Sequence, residues 1–379
     1  MESQPTRLPK KSRLLFICQL PPPVHGAAII NSIIAASDSL NEKFDLDIVP
    51  IDMGASFSEN GKWGFSKLVR SVLLLVKVHR KLYSNTFDAA YITVTLNGFA
   101  LLRDYLLVLL CKAHSTKRIY HIHMKGARER GARSWFFRSV YRSLFKAAEV
   151  IHVSNSLFSD LEGFVAPERF RVVPNGILPP PSEVEVRKVR AVGPSRSCLN
   201  VLFLSNMLRA KGALDLLEAS LRLFEEGVDH RLTFVGAPRD DGIVEDILTA
   251  AKKVGGRIAF AGPLFDADKW RALADADIFV FPTHNECLPL AVIEAMSIGL
   301  PIIASREGAI PDLISSEVNG LLFPPKNVDA LTDALRRLLL DASLRNDLGQ
   351  EAKKSYRQQY TLGSFERHLD KALSDILQA

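Results

Sequence analysis

The chain has 379 residues, room for two to three domains of roughly 150 residues each, and its composition of 47% hydrophobic and 24% charged residues excludes a disordered or low-complexity protein. Its longest apolar runs, Val72–Val76 and Leu106–Cys111, fall well short of the roughly 20 residues that a membrane-spanning helix needs. The net charge of +6 hides an asymmetry, since residues 1–190 carry 27 Lys and Arg against 16 Asp and Glu while 191–379 carry 21 against 26, so the two halves are expected to face different partners.

Lys10, Lys11 and Arg13 precede only the short apolar run Leu14–Cys18 before Pro21 interrupts, which is too little for an export signal, and a cytoplasmic location is expected. Cys18, Cys111, Cys198 and Cys287 form no CxxC pair and imply neither a zinc site nor a disulfide framework.

Along the chain, apolar runs of strand length alternate with helix-period segments, the pattern of parallel sheets built from βα units. Strands are predicted near 14–18, 47–51, 88–94, 118–123, 150–153 and 170–173. A segment at 178–198 with Pro179, Pro180, Pro181, Gly193 and Pro194 has linker composition. Strands resume at 200–205, 231–235, 257–261, 277–281 and 301–304. The expected fold class is α/β, with two open domains in series and a ligand site where the carboxyl ends of both sheets face one cleft.

Four stretches carry chemistry. The loop Gln19–Ala28, punctuated by Pro21, Pro22, Pro23 and Gly26, follows the first strand and is a shaped turn. His121 and His123 fall on one face at the end of the fourth strand; the pair invites a metal reading, but no third ligand of suitable spacing accompanies it. After the seventh strand come Asn206, Arg209, Lys211 and Gly212 just before a helical pattern, two cations and a glycine at a helix start, which is an anion site. In the run from Phe281 to Pro301, Glu286 lies in a loop, Pro289 stands where a helix begins, and Glu294 sits in that helix's second turn. Free amides there, from Leu288, Leu290 and Ala291, suit phosphate, and the carboxylates suit hydroxyls. A ligand bearing both is a nucleotide-diphosphate sugar.

The 281–301 run resembles the Glu-x7-Glu region of the retaining glycosyltransferases of family 4, which have the GT-B architecture of two Rossmann-like domains facing each other across a deep cleft. The resemblance is strongest over about 200–340, and Ser154–Asn155, Pro174–Gly176, Gly236, Glu307–Gly308 and Asn319–Leu322 extend it thinly over nearly the whole chain. It implies an acceptor-binding domain over 1–185, with a C-terminal helix over 362–379 crossing back, and a nucleotide-sugar-binding domain over 195–361. It further implies that Glu286 contacts the transferred sugar, Glu294 the ribose, and Lys211 the diphosphate, with Cys287, Leu288, Leu290 and Gly236 around the donor. The family's Arg five positions before the Lys-Gly pair is Asn206 here, and Arg209 is the candidate substitute. Gly26 and Ala27 would lie under the donor phosphates beside the acceptor, although Ala27 replaces a common Gly. The role of a histidine near the reacting carbon falls to His123, with His121 as its substitute.

The implied activity is metal-independent transfer of a sugar, with retention, to an acceptor hydroxyl, and no cofactor. Asp266–Asp268 and Asp275–Asp277 have DxD spacing but read as a helix cap and a helix-to-strand turn. Two other readings stay open: a nucleotide-sugar epimerase of the same architecture, and a catalytically silent, membrane-associated partner. Arg103–Lys146 holds 11 basic residues against Asp104 and Glu129, interleaved with Trp135, Phe136, Phe137, Tyr141 and Phe145. Residues 128–146 read as a basic amphipathic helix for an anionic membrane surface, with 67–81 as a more apolar stripe. The acceptor expected from this is lipid-linked or a cell-envelope polysaccharide, met at the inner face of the cytoplasmic membrane; a nucleic-acid partner is not expected, because no recognition motif accompanies the charge.

Overall fold

The computed structural model of the chain describes residues 11–52, 65–182 and 198–378, so the expected linker lies mostly outside the described residues. Two compact units form, one running to Pro174 and including the C-terminal segment from Glu366, the other spanning Asn175–Phe365. Residues 175–177 belong with the second unit because Ile177 bridges Thr361 and Gly176 packs so closely on Thr361 that a Cβ would lie 2.4 Å from its carbonyl oxygen.

The first unit is a parallel sheet of β1 (Ser12–Cys18), β2 (Phe44–Pro50), β3 (Ala89–Thr93), β4 (Lys117–Ile122), β5 (Glu149–His152) and β6 (Phe170–Val172), in the order β2-β1-β3-β4-β5-β6. Helices cover both faces, which is why the strands read as unbroken apolar runs; Leu14–Cys18 and Ala89–Ile92 have no exposed surface. Strand order reverses between β1 and β3, and the crevice at their carboxyl ends is where an open α/β sheet holds a ligand. There the loop from Gln19 leads into the helix Gly26–Ala36, capped by His25, whose Nδ1 accepts from the Ala28 amide at 3.3 Å. Asn31 fastens this helix to the sheet, donating to Gln19 O at 2.8 Å and accepting from Thr93 Oγ1 at 2.9 Å. The last helix, Leu362–Gln378, joins the first unit from Glu366, which accepts from Ser37 Oγ at 2.6 Å.

The second unit orders β7 (Asn200–Leu204), β8 (Arg231–Val235), β9 (Ile258–Gly262), β10 (Ile278–Phe281), β11 (Ile302–Ser305) and β12 (Leu321–Phe323) as β12-β11-β10-β7-β8-β9, all parallel. This is the doubly wound dinucleotide-fold order, with its switch point between β7 and β10. Helices Ala213–Glu225 and Val328–Leu340 bring Leu216, Leu223, Leu331 and Leu335 into one core over the sheet.

Three expectations change. The basic segment is two helices, Ala127–Arg133 and Trp135–Phe145, because Ser134 between them is extended at φ −145°, ψ 121°. Much of its charge is spent internally: Arg133 pairs with Glu129, Arg138 donates to Gly131 O, and Arg130 lies over the Phe137 ring. Arg103 leaves the basic surface altogether, buried in an ion pair with Asp104, whose Oδ1 accepts from Arg103 Nε at 2.8 Å. By contrast, the helix Phe65–Ser84 has two apolar faces, Leu74, Val78 and Leu82 in the core, and Leu68, Val69, Val72, Leu73 and Val76 exposed. Finally, Phe265 rather than Asp266 is the cap of the helix Asp266–Asp275, whose first turn holds both Asp266 and Asp268 beside the positive end of the helix dipole.

Candidate functional site

In the second unit the loops leaving β7 and β10 carry most of the candidate residues. After β7 a single 3-10 turn, Arg209–Lys211, is followed by Gly212 at φ +72°. A Cβ on Gly212 would lie 2.0 Å from Pro282 O, so the two loops meet only because residue 212 lacks a side chain. Gly236 serves the same end beneath them, where a Cβ would meet Ser205 O at 1.8 Å. The seam is then stitched: His284 N donates to Ala210 O at 2.8 Å, Thr283 Oγ1 to the same oxygen at 3.2 Å, and His284 Nε2 meets Asp215 Oδ2 at 2.7 Å.

This stitching brings together Lys211 and Glu286. Lys211 Nζ stands 2.7 Å from Glu286 Oε2 and also donates to Asn285 O at 3.2 Å. Glu286 Oε1 accepts the Cys287 amide at 2.9 Å, while the Glu286 amide donates to Glu307 Oε1 at 3.4 Å. Among the described residues each Glu286 carboxylate oxygen has one partner and keeps a further acceptor site for a hydroxyl. Pro289 stands at the N-cap of the helix Leu290–Ser297, which has no side-chain cap hydrogen bond. Its amides and the positive end of its dipole are therefore available to an anion. Cys287 and Leu288 are buried under this corner, and Leu290 is half-buried at the helix start.

Glu294 lies in the second turn, buried, with Lys269 Nζ 2.5 Å from its Oε1. Burial pushes its carboxyl up from the ordinary value, and the Lys269 ammonium pulls it back. Asn206 is exposed, at the β7 end of the first loop. Arg209 is tied to the neighbouring loop, its amide donating to Asp240 Oδ2 at 2.7 Å and its guanidinium to Asp241 O at 3.3 Å. It pairs with neither Glu286 nor Glu294 among the described residues.

Gly26, Ala27, His121 and His123 belong to the first unit. Gly26 is exposed and Ala27 half-buried at the start of the helix that His25 caps. His121 is fully buried, its Nδ1 2.7 Å from Tyr91 Oη, and its ring lies 4.1 Å from that of His123. The fold adds a third histidine that the sequence reading missed, His152 at the end of β5. Burial is the chief cause that holds all three neutral: His123 down to about 3, with His152 and His25 repelling its charge; His152 down to about 4; and His121 well below the ordinary value. Among the described residues both ring nitrogens of His123 and Nε2 of His121 are buried without a hydrogen-bond partner, an arrangement that costs free energy. Among the described residues no three His, Cys, Asp or Glu are grouped so as to hold a metal ion.

Sequence reasoning also missed Lys269 and Asp215. Their partners are 25 and 69 residues away, separations that no local spacing rule connects.

Residues 196–355 match the family of glycosyl transferases group 1. The sulfoquinovosyl transferase SQD2 of Arabidopsis thaliana is 29% identical over 248 residues, covering 62% of this chain and 47% of that protein; the chain spans about half the length of the curated relatives it matches. Among solved structures, a glycosyltransferase from Rickettsia africae superimposes with TM-score 0.73 at 18% identity, covering 97% of this chain and 99% of the other. Anabaena HepE does so with TM-score 0.71 at 17% identity, covering 96% and 99%. With two doubly wound parallel units the chain has the GT-B fold of these glycosyltransferases, and the match to the glycosyl transferases group 1 falls on the unit that holds the Lys211–Glu286 pair.

Proposed function

We propose that the protein transfers a sugar from a nucleoside diphosphate to an acceptor hydroxyl with retention at the anomeric carbon. The observation that carries this reading is the convergence of Lys211, Glu286, Glu294 and an uncapped helix start at one switch point, cation and amides for phosphate beside two carboxylates for hydroxyls. The structure of HepE in complex with UDP-glucose agrees with it. Charge grows on the departing diphosphate in the transition state, and Lys211 with the amides of the Leu290 helix stabilises it, the task a metal ion performs elsewhere. Glu286, held from both sides, orients the sugar hydroxyls. His123, neutral and without a hydrogen-bond partner among the described residues, is a donor or acceptor for the sugar near the reacting carbon, and Gly26 and Ala27 offer amides near the acceptor. No cofactor takes part. Donor consumption tests the reading: a transferase releases nucleoside diphosphate and is accelerated by an acceptor, an epimerase returns an altered nucleotide sugar without one, and a silent relative consumes nothing.

The acceptor is lipid-linked or a cell-envelope saccharide, reached by peripheral contact of the first unit with an anionic membrane. Among the described residues no helix is long and apolar enough to cross a bilayer. The exposed stripe Leu68, Val69, Val72, Leu73 and Val76, with Lys77 and Arg80 on the same helix, supports surface contact; Leu106 and Leu109, on the helix Gly98–Ala113 packed against it, and Trp135 and Phe136 are also exposed. Flotation with vesicles containing anionic lipid is expected to recover the wild type, and the double variant Val72→Asp, Leu73→Asp to lose at least about ten-fold in binding. Equal recovery of both, or of the wild type on neutral lipid alone, contradicts this assignment.

A further inference from the structure

Glu294 is a carboxylate in a place that disfavours its charge. It is buried in the helix Leu290–Ser297, and Lys269, from the helix Asp266–Asp275, is the one charged group that acts on it among the described residues. Their side chains are only 11% and 22% exposed, with Lys269 Nζ 2.5 Å from Glu294 Oε1. The ammonium also stands 5.5 Å from the centre of the Trp270 ring. Oε2 has no hydrogen bond among the described residues, so one oxygen is held and the other is left to accept. A buried carboxyl that loses its counter-charge takes up a proton instead, and a neutral carboxyl is a weaker acceptor for hydroxyl groups than a carboxylate.

We propose that Lys269 is a positioning residue for the nucleotide, holding Oε1 of Glu294 so that Oε2 faces the ribose hydroxyls as a charged acceptor. The proposal rests on the ribose assignment of Glu294 made above. Lys269 touches no reacting atom in this scheme and acts only through Glu294. The device is absent from any local motif: the lysine comes from the helix after β9 and the glutamate from the helix after β10.

The test uses the full chain as wild type, Lys269→Met and Lys269→Arg, with UDP, GDP, ADP and dTDP as probes in calorimetry between about pH 6 and pH 8.5. For the nucleotide that the wild type binds, Lys269→Met is expected to raise Kd about ten-fold over wild type near neutral pH. The ratio should fall back as the pH rises and Glu294 ionises, while Lys269→Arg stays near wild type throughout. A Lys269→Met variant with the wild-type Kd at every pH overturns the proposal, as does a loss that is the same at every pH and that Arg does not rescue. A second reading is independent of any ligand: in 13C-glutamate NMR, with Glu294→Gln supplying the assignment, the titration step of Glu294 is expected to move to higher pH in Lys269→Met. An unmoved step overturns the proposal. A wild type that binds none of the four nucleotides, with the step nevertheless moved, leaves the Lys269–Glu294 linkage standing and contradicts the ribose assignment instead.

Discussion

Glu286→Ala is expected to lower turnover by about 10²–10³-fold, a loss of about 3–4 kcal/mol of transition-state stabilisation. Two contacts vanish with the side chain, the 2.7 Å pair with Lys211 Nζ and the 2.9 Å bond from the Cys287 amide. Among the described residues Lys211 then keeps only Asn285 O as an anchor, so on the proposed reading the cation for the diphosphate loses its fixed position along with the group for the sugar. Lys211→Ala is expected to lose a comparable factor, and the double variant little more than either single one, since the two side chains act as a unit. Both side chains are partly exposed, at 18% each, so thermal stability should change little, and steady-state rates with unchanged melting separate a chemical role from a structural one. A Glu286→Ala protein with near-wild-type turnover would contradict the assignment.

The second large effect is acid lability of the first unit. His121, His123 and His152 are kept neutral in the folded chain far below the pH at which an unfolded histidine takes up a proton. Below about pH 6.5 the unfolded state therefore binds more protons than the folded state, and stability falls as the pH falls. For His152 the loss runs down to about pH 4 and for His123 to about pH 3; above about pH 7 none of the three contributes a slope. Each contributes roughly 1.4 kcal/mol per pH unit within its window, so the three together reach roughly 4 kcal/mol per pH unit. Asp104 and Glu294, whose carboxyls burial raises, act in the opposite sense, because the folded state takes up their protons first. Hydrogen exchange of the β4 and β5 amides, corrected for intrinsic rates, is expected to show protection collapsing between pH 7 and pH 5. The variant His123→Leu, which breaks no hydrogen bond, should flatten the dependence by about a third. Equal protection at both pH values would show that these histidines are charged or solvated in the folded protein.

The parts of the molecule that were legible in the sequence are those governed by local pattern. Eleven of the twelve strands among the described residues are legible because a parallel strand covered on both faces must be an apolar run, and the turn residues that bound it are Gly, Pro, Asn and Asp. β12, Leu321–Phe323, is not legible as a strand, since three residues are too few for a period to register. The loop before Pro289 and the second-turn place of Glu294 followed from proline chemistry alone. What stayed hidden is what the fold assembles from distant segments. Arg103 reads as surface charge until its neighbour Asp104 is seen to be buried with it. Lys269 meets Glu294 only because β9 and β10 flank β7 and β8 in the sheet, and His152 joins His121 and His123 only because β5 pairs with β4. The break at Ser134 was missed for a different reason: the apolar spacing continues through it, and periodicity does not register one extended residue.

Whether the switch point of the second unit is a nucleotide site is decided most directly by calorimetry of UDP, GDP, ADP and dTDP with the wild type and with Glu294→Ala, without added metal. The account predicts that one nucleotide binds the wild type specifically and that Glu294→Ala weakens it by at least about ten-fold, through loss of the ribose acceptor. Binding of equal strength to both proteins would place the nucleotide elsewhere, and no binding to either would contradict the site itself.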